Sequence, residues 1–129
     1  MESGNKIRVL LVDDDIRVRE TLSSILKQYS NIEVVGEASD GDEAVTSVGT
    51  LRPAVVVMDI TMKKMDGITA ARLIKAQHPS VFVVGCSAHT KEYNVYAMQR
   101  VHAFEVLLKK EDAVEDLYPA IQRIMAAVA

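Results

Sequence analysis

Five short apolar runs at regular intervals restrict the folds open to this chain of 129 residues more than any other feature. The runs are rich in β-branched residues, which predicts strands. They cover residues 7–12, 32–37, 54–58, 81–86 and 104–108. Three of the runs are continuously apolar instead of alternating, which is typical of parallel strands covered by helices on both faces.

The intervals between the runs predict the helices that such a sheet needs. Val18, Leu22 and Ile25 recur at helical spacing, and a similar apolar stripe runs from Val114 to Val128. Alternating strands and helices predict an α/β fold, a doubly wound (βα)5 parallel sheet of flavodoxin-like strand order 2-1-3-4-5. We expect a single domain over residues 1–129, with a core of about 7–127.

Four acidic residues are expected at helix starts. Asp40 with Glu43, and Asp112 with Glu115, have the spacing of an N-cap and the third helical residue. The segment 91–101 is predicted as the fourth of five helices.

Composition excludes several classes of function. The 15 basic and 18 acidic residues give a net charge of -3 without a basic stripe, so we expect no direct binding of nucleic acid. The single cysteine, Cys86, excludes an internal disulfide. There is no apolar run of transmembrane length and the first residues are polar, so we expect no membrane contact and a cytoplasmic protein.

The predicted strands end in polar residues, at the edge where open parallel sheets bind their ligands. The residues that follow the first, third, fourth and fifth strands are Asp13 to Asp15, Asp59, Ser87, and Lys109 with Lys110. Because the first and third strands are neighbours in the predicted order, the acids should converge. Two such charges ~4 Å apart repel by about 4 kcal/mol at an effective dielectric of ~20, so the cluster needs cations. Mg²⁺ and the Lys109 ammonium suit this pocket, and Asp59, after the central strand, is the best nucleophile.

These phrases together resemble the receiver domain of two-component response regulators over residues 7–127. The phrases are VLLVDDD (9–15), VVGEASDG (34–41), MDITM (58–62), MDGI (65–68) and LLKK (107–110). Their wording is most similar to receivers joined to LuxR-type helix-turn-helix domains, the NarL/FixJ-like regulators.

The resemblance implies roles for the matching residues. Asp59 would be the phospho-acceptor, Lys109 would pair with it or with its phosphoryl group, and the Ser87 hydroxyl would turn toward the phosphoryl oxygen. The oxygen atoms that would hold Mg²⁺ belong to Asp14, Asp59, the Thr61 carbonyl and, through water, Asp13. Thr61 and His89 would set the lifetime of the phosphorylated state.

The resemblance also implies partners. The phosphoryl donor would be a phosphohistidine on a sensor histidine kinase or phosphotransfer protein, and the output would be transcription through an effector domain absent from this chain. A homodimer through the last two predicted helices is an open expectation. The chain would not be a conventional enzyme, because it would catalyse at most slow self-phosphorylation and autodephosphorylation.

Two departures from the family pattern concern the switch. Met62 is followed by Lys63 and Lys64 where the family usually has proline, and Val106 stands where the family commonly has an aromatic residue. Phe104 could replace the missing ring only in a regular strand, where residues two positions apart lie on the same face. Three residues of segment 91–101 either bind a partner or pack as half-buried residues, and both readings stay open: Tyr93, Tyr96 and Met98.

Two other functions compete with a phosphorylated switch. The first is an atypical receiver that binds partners without being phosphorylated. The second is a phosphatase resembling the haloacid dehalogenases, which place Asp-x-Asp-x-Thr after the first strand. Here the corresponding run ends in Arg17, which disfavours the phosphatase.

Overall fold

The computed structural model describes residues 5–62, 64–88 and 103–128. Within these ranges, five strands and four α-helices follow one another along the chain. The strands are β1 (Ile7–Val12), β2 (Ile32–Ala38), β3 (Val55–Asp59), β4 (Phe82–Ser87) and β5 (Val106–Lys109). The helices are α1 (Ile16–Lys27), α2 (Gly41–Leu51), α3 (Gly67–Gln77) and α4 (Ala113–Ala127), with a 3₁₀ turn at Lys110–Asp112.

Some sequence predictions fall outside the described residues. They concern the helix at 91–101 with Tyr93, Tyr96 and Met98, and also Lys63 and His89. No helix in the described ranges is both long and apolar enough to cross a membrane.

The strands form one parallel sheet in the order β2-β1-β3-β4-β5, which confirms the predicted fold. The register aligns Val12 with Met58 and Asp59 with Cys86. Residues that continue β1 and β3 therefore meet at one edge of the sheet.

Each face of the sheet carries its own apolar core, which is why the strand sequences are continuously apolar. On one face, Leu10, Val56 and Val83 pack with residues of α2 and α3. On the other face, alternate strand residues pack with α1 and α4, among them Leu11 and Val57. Because side chains alternate along a strand, the face of each residue decides which core or site it joins.

Side-chain caps begin three of the helices. Asp40 accepts a hydrogen bond from the Glu43 amide at 2.9 Å, as predicted, and Asp15 and Asp66 cap α1 and α3 in a similar way. The predicted Asp112 cap is wrong, because its side chain makes no capping hydrogen bond. The chain enters α4 directly from the 3₁₀ turn, so Asp112 already has a helical backbone instead of the extended backbone that an N-cap needs.

Two glycines are expected to respond oppositely to substitution by alanine. A Cβ on Gly67 would collide with the Asp59 carbonyl oxygen and lie 2.7 Å from the Ile60 Cα, so G67A should lower the free energy of unfolding by about 1 to 3 kcal/mol. A Cβ on Gly49, inside α2, would meet nothing nearer than 4.0 Å. G49A should therefore raise stability by roughly 0.5 to 1 kcal/mol.

Urea unfolding of both variants beside the wild type checks this prediction. A G67A protein as stable as G49A would show that α3 does not pack against the end of β3 in this way.

Candidate functional site

Three carboxylates meet where β1 and β3 end. One oxygen from each of Asp13, Asp14 and Asp59 lies within 4.8 Å of the others. Asp13 and Asp59 are only 3% and 2% exposed, whereas Asp14 is exposed. The structure thus brings together the three acids that the sequence predicted would converge, and it leaves one side of the cluster open to solvent.

The ammonium group beside these acids belongs to Lys110. Its Nζ lies 2.9 Å from Asp13 Oδ2 and 3.3 Å from Asp59 Oδ1. The sequence prediction named Lys109 for this role, but Lys109 is exposed at the end of β5 and makes no ion pair with the described acids. Its pairing with a phosphoryl group stays a prediction.

Strand alternation explains why the second lysine takes this place. Cys86 lies beside Asp59 in the sheet, and Leu108 lies beside Cys86, so all three side chains are on the α1 and α4 face. Lys110 comes two positions after Leu108 and begins the 3₁₀ turn, so the strand brings the chain to this face and the turn places the Lys110 side chain beside the acids. Lys109 falls on the opposite face.

Ser87 and Thr61 lie at the ends of β4 and β3. Ser87 is buried at the end of β4, next to Lys109 in the register. The Thr61 amide donates a hydrogen bond to Asp59 Oδ1 at 3.2 Å, while its side chain is exposed. The predicted roles of the Ser87 hydroxyl and the Thr61 carbonyl stay predictions.

Val106 and Phe104 pack on opposite faces of the sheet. Val106 joins the core under α1 and α4, whereas the Phe104 ring joins the core under α2 and α3 and covers Gly85, where a Cβ would lie 2.6 Å from the ring. Phe104 precedes β5, which begins two residues later than predicted. Between them, the Glu105 carboxylate accepts a hydrogen bond from the Val83 amide at 2.6 Å. Phe104 therefore does not share the face of Val106.

Burial and charge set the protonation of the site. Burial raises the pKa of Asp59 to about 6, and the neighbouring Asp13 charge adds to this rise against the opposing effect of Lys110. Burial alone would lower the pKa of Lys110, but hydrogen bonds and charges from Asp13 and Asp59 outweigh it and raise that pKa. The ammonium is therefore retained at neutral pH and faces more than one carboxylate, which leaves the cluster short of positive charge.

The two oxygens of Asp59 have different surroundings. Oδ1 contacts Lys110 and the Thr61 amide, while Oδ2 is buried and accepts no hydrogen bond within the described part of the chain. A buried polar atom without a partner costs free energy, and a bound ion or water that contacts it removes this cost. Carboxylate oxygens are the ligands that Mg²⁺ prefers, and the three acids present fit this ion.

Comparison with known proteins agrees with this geometry. The sequence profile of the response regulator receiver domain matches residues 9–122. The transcriptional regulatory protein LiaR of Bacillus subtilis is 38% identical over 109 residues, which are 84% of this chain and 52% of that protein. The protein-glutamate methylesterase/protein-glutamine glutaminase of group 3 operon of Rhodopseudomonas palustris is 49% identical over 87 residues, which are 67% of this chain and 24% of that protein. The chain spans about a quarter to about half of the length of these relatives.

A solved structure gives the same result. A chain in the crystal structure of the CheX-CheY-BeF3-Mg+2 complex from Borrelia burgdorferi superposes with a TM-score of 0.82 at 29% identity, covering 98% of this chain and 92% of that chain. With the fold, the acidic cluster and the profile match in agreement, the protein belongs to the response regulator receiver family.

Proposed function

We propose that Asp59 is the residue of this chain that accepts the phosphoryl group. Phosphorylation on an aspartate is the function of the receiver family. One observation carries the assignment to Asp59: its Oδ2 is buried without a hydrogen-bond partner among the described residues, while its Oδ1 is held by Lys110 and the Thr61 amide. This carboxylate combines a fixed orientation with an oxygen left for bond formation.

The chemistry follows from this arrangement. One oxygen of the Asp59 carboxylate attacks the phosphorus of a phosphohistidine, the P–O bond forms as the P–N bond breaks, and the electron pair leaves with the donor imidazole. The Lys110 ammonium stabilises the negative charge on the phosphoryl oxygens during this transfer. Receiver domains bind Mg²⁺ at an acidic pocket. In this chain Asp13, Asp14 and Asp59, with the Thr61 carbonyl, would hold that ion, which neutralises charge when bound.

A small phosphodonor tests the assignment without a kinase. We expect the wild type to gain the mass of one phosphoryl group when it is incubated with acetyl phosphate and Mg²⁺, and D59N to gain none, because an amide is not a nucleophile here. Intact-mass analysis at short times measures both.

The competing reading, a binding module that is never phosphorylated, predicts no adduct on either protein. A phosphoryl adduct that hydrolyses quickly would also give no added mass. The wild type is therefore also titrated with beryllofluoride. A wild type that gains no phosphate and does not respond to beryllofluoride would defeat the proposal.

The proposal also includes a phosphoryl donor and an output that other proteins or domains supply. Receiver domains interact with histidine kinases or phosphotransfer proteins, and we propose a sensor kinase or phosphotransfer protein as the donor here. The relative LiaR is a transcriptional regulatory protein, which supports transcription as the output through another domain. Residues 1–129 would act as one receiver in the cytoplasm, with only slow self-phosphorylation and autodephosphorylation. A homodimer is tested by sedimentation with and without beryllofluoride.

A further inference from the structure

Arg19 reaches from the start of α1 back to the loop that carries the acids. Its side chain is only 14% exposed. Nη1 donates a hydrogen bond to the main-chain carbonyl of Asp13 at 2.6 Å, and Nε donates to the Glu37 carboxylate at 2.8 Å. The guanidinium group therefore connects the residue after β1 to both α1 and β2.

The backbone of Asp13 is held from both sides. Its amide donates to the Ala38 carbonyl at 3.1 Å, and its carbonyl accepts from Arg19. Because a peptide unit is planar, fixing this carbonyl also fixes the amide nitrogen and Cα of Asp14. The contact with Arg19 thereby fixes the Cα from which the Asp14 side chain leaves the backbone.

Asp14 depends on this backbone more than the other two acids do. Asp13 and Asp59 each contact Lys110 and accept a hydrogen bond from a backbone amide. The Asp14 side chain is exposed, and no described residue donates a hydrogen bond to its carboxylate. An oxygen of Asp14 nevertheless lies within 4.8 Å of oxygens of both other acids.

We propose that Arg19 is a positioning residue for the magnesium site, because it fixes the Asp13 carbonyl and so directs the Asp14 carboxylate toward Asp59. Arg19 binds neither the ion nor the phosphoryl group. This inference rests on the proposed function, since it assumes that the three acids hold Mg²⁺.

The direction in which the Kd for Mg²⁺ changes when Arg19 is replaced distinguishes a positioning role from the effect of its charge alone. Arg19 carries a positive charge close to the acids, so removing the charge alone would strengthen binding of a cation. Loss of positioning has the opposite effect, because residues that orient metal ligands typically change metal affinity by about 10- to 100-fold when they are replaced.

A magnesium titration of the ¹⁵N-labelled full chain, followed by NMR, tests the inference. The amide shifts of Asp13, Asp14 and Asp59 report binding, and the same spectra report folding. We expect the Kd for Mg²⁺ to rise about tenfold in R19Q. R19K keeps the charge but reaches fewer partners, so its Kd should lie between those of R19Q and the wild type.

The matched control is R17Q. Arg17 lies two residues away, has a side chain that is 86% exposed, and pairs with Asp15 outside the acidic cluster. Its substitution removes the same charge and should leave the Kd at or slightly below the wild-type value.

Three results would overturn the inference. In a folded R19Q protein, a Kd equal to or lower than that of the wild type removes the positioning role. If R19Q does not fold, R19K takes its place, because it keeps the positive charge and changes only the contacts with the Asp13 carbonyl and Glu37; an unchanged Kd in folded R19K is then decisive. If the amide shifts of the wild type do not change with Mg²⁺, the proposed function itself is wrong. If the wild type binds Mg²⁺ and R19Q binds it with the same Kd, only the positioning role of Arg19 is wrong.

Discussion

Replacing Lys110 with alanine is expected to lower the free energy of unfolding by about 2 to 3 kcal/mol near neutral pH, because it leaves two buried carboxylates facing each other without a cation. The Nζ of Lys110 lies within 3.3 Å of oxygens of both Asp13 and Asp59. The same substitution should slow phosphorylation by acetyl phosphate about tenfold or more, since the charge on the phosphoryl oxygens loses its ammonium partner. Urea unfolding and intact-mass kinetics measure the two effects.

The neighbouring lysine provides the control. Lys109 is exposed, and K109A should change stability by less than about 0.5 kcal/mol. If K109A shows the large losses in stability and phosphorylation and K110A does not, the ammonium of the site belongs to Lys109 and the assignment made here is wrong.

D59N is expected to be more stable than the wild type above about pH 6 when magnesium is removed by a chelator. Burial raises the pKa of Asp59 from 3.8 to about 6 in the folded state. Between these values the folded protein keeps a proton that the unfolded chain has lost, so wild-type stability falls as the pH rises through this range. Asparagine has a similar shape and no charge to bury. Its gain should reach about 2 to 3 kcal/mol.

The pH dependence makes this prediction specific. Below about pH 4, Asp59 is protonated in both states of the wild type, so the advantage of D59N should disappear. Unfolding in urea at a series of pH values measures the difference. If the stability gain of D59N is constant with pH, or if D59N is less stable than the wild type above pH 6, then burial does not destabilise the charged form of Asp59.

Much of the fold could be predicted from sequence because its signals are local. Continuous apolar strands such as Val9 to Val12 required cover on both faces, and the strand-helix alternation required parallel pairing. The position of Asp13 and Asp59 then followed from strand order, since adjacent parallel strands end at the same edge. The acidic half of the site was therefore accessible from the sequence.

The position of the ammonium group was harder to predict, because it depends on which of two consecutive lysines lies beside the acids. Lys109 and Lys110 are adjacent and chemically identical, and only the register and alternation of the short strand β5 separate them. The failed Asp112 cap has the same origin, because the 3₁₀ turn between Lys110 and Asp112 changes how the chain enters α4. Arg19 was not identified from sequence either, since its contact is with a main-chain carbonyl, which carries no residue-type signal.

The most direct test of the site as a whole is a crystal structure of the chain with Mg²⁺ and beryllofluoride, which mimics a phosphoryl group. We expect beryllium bonded to an Asp59 oxygen, the ion held by Asp13, Asp14 and Asp59 with the Thr61 carbonyl, and the Lys110 ammonium on a fluorine atom. Beryllofluoride on another carboxylate, or a Lys110 side chain turned away from it into solvent, would contradict the account.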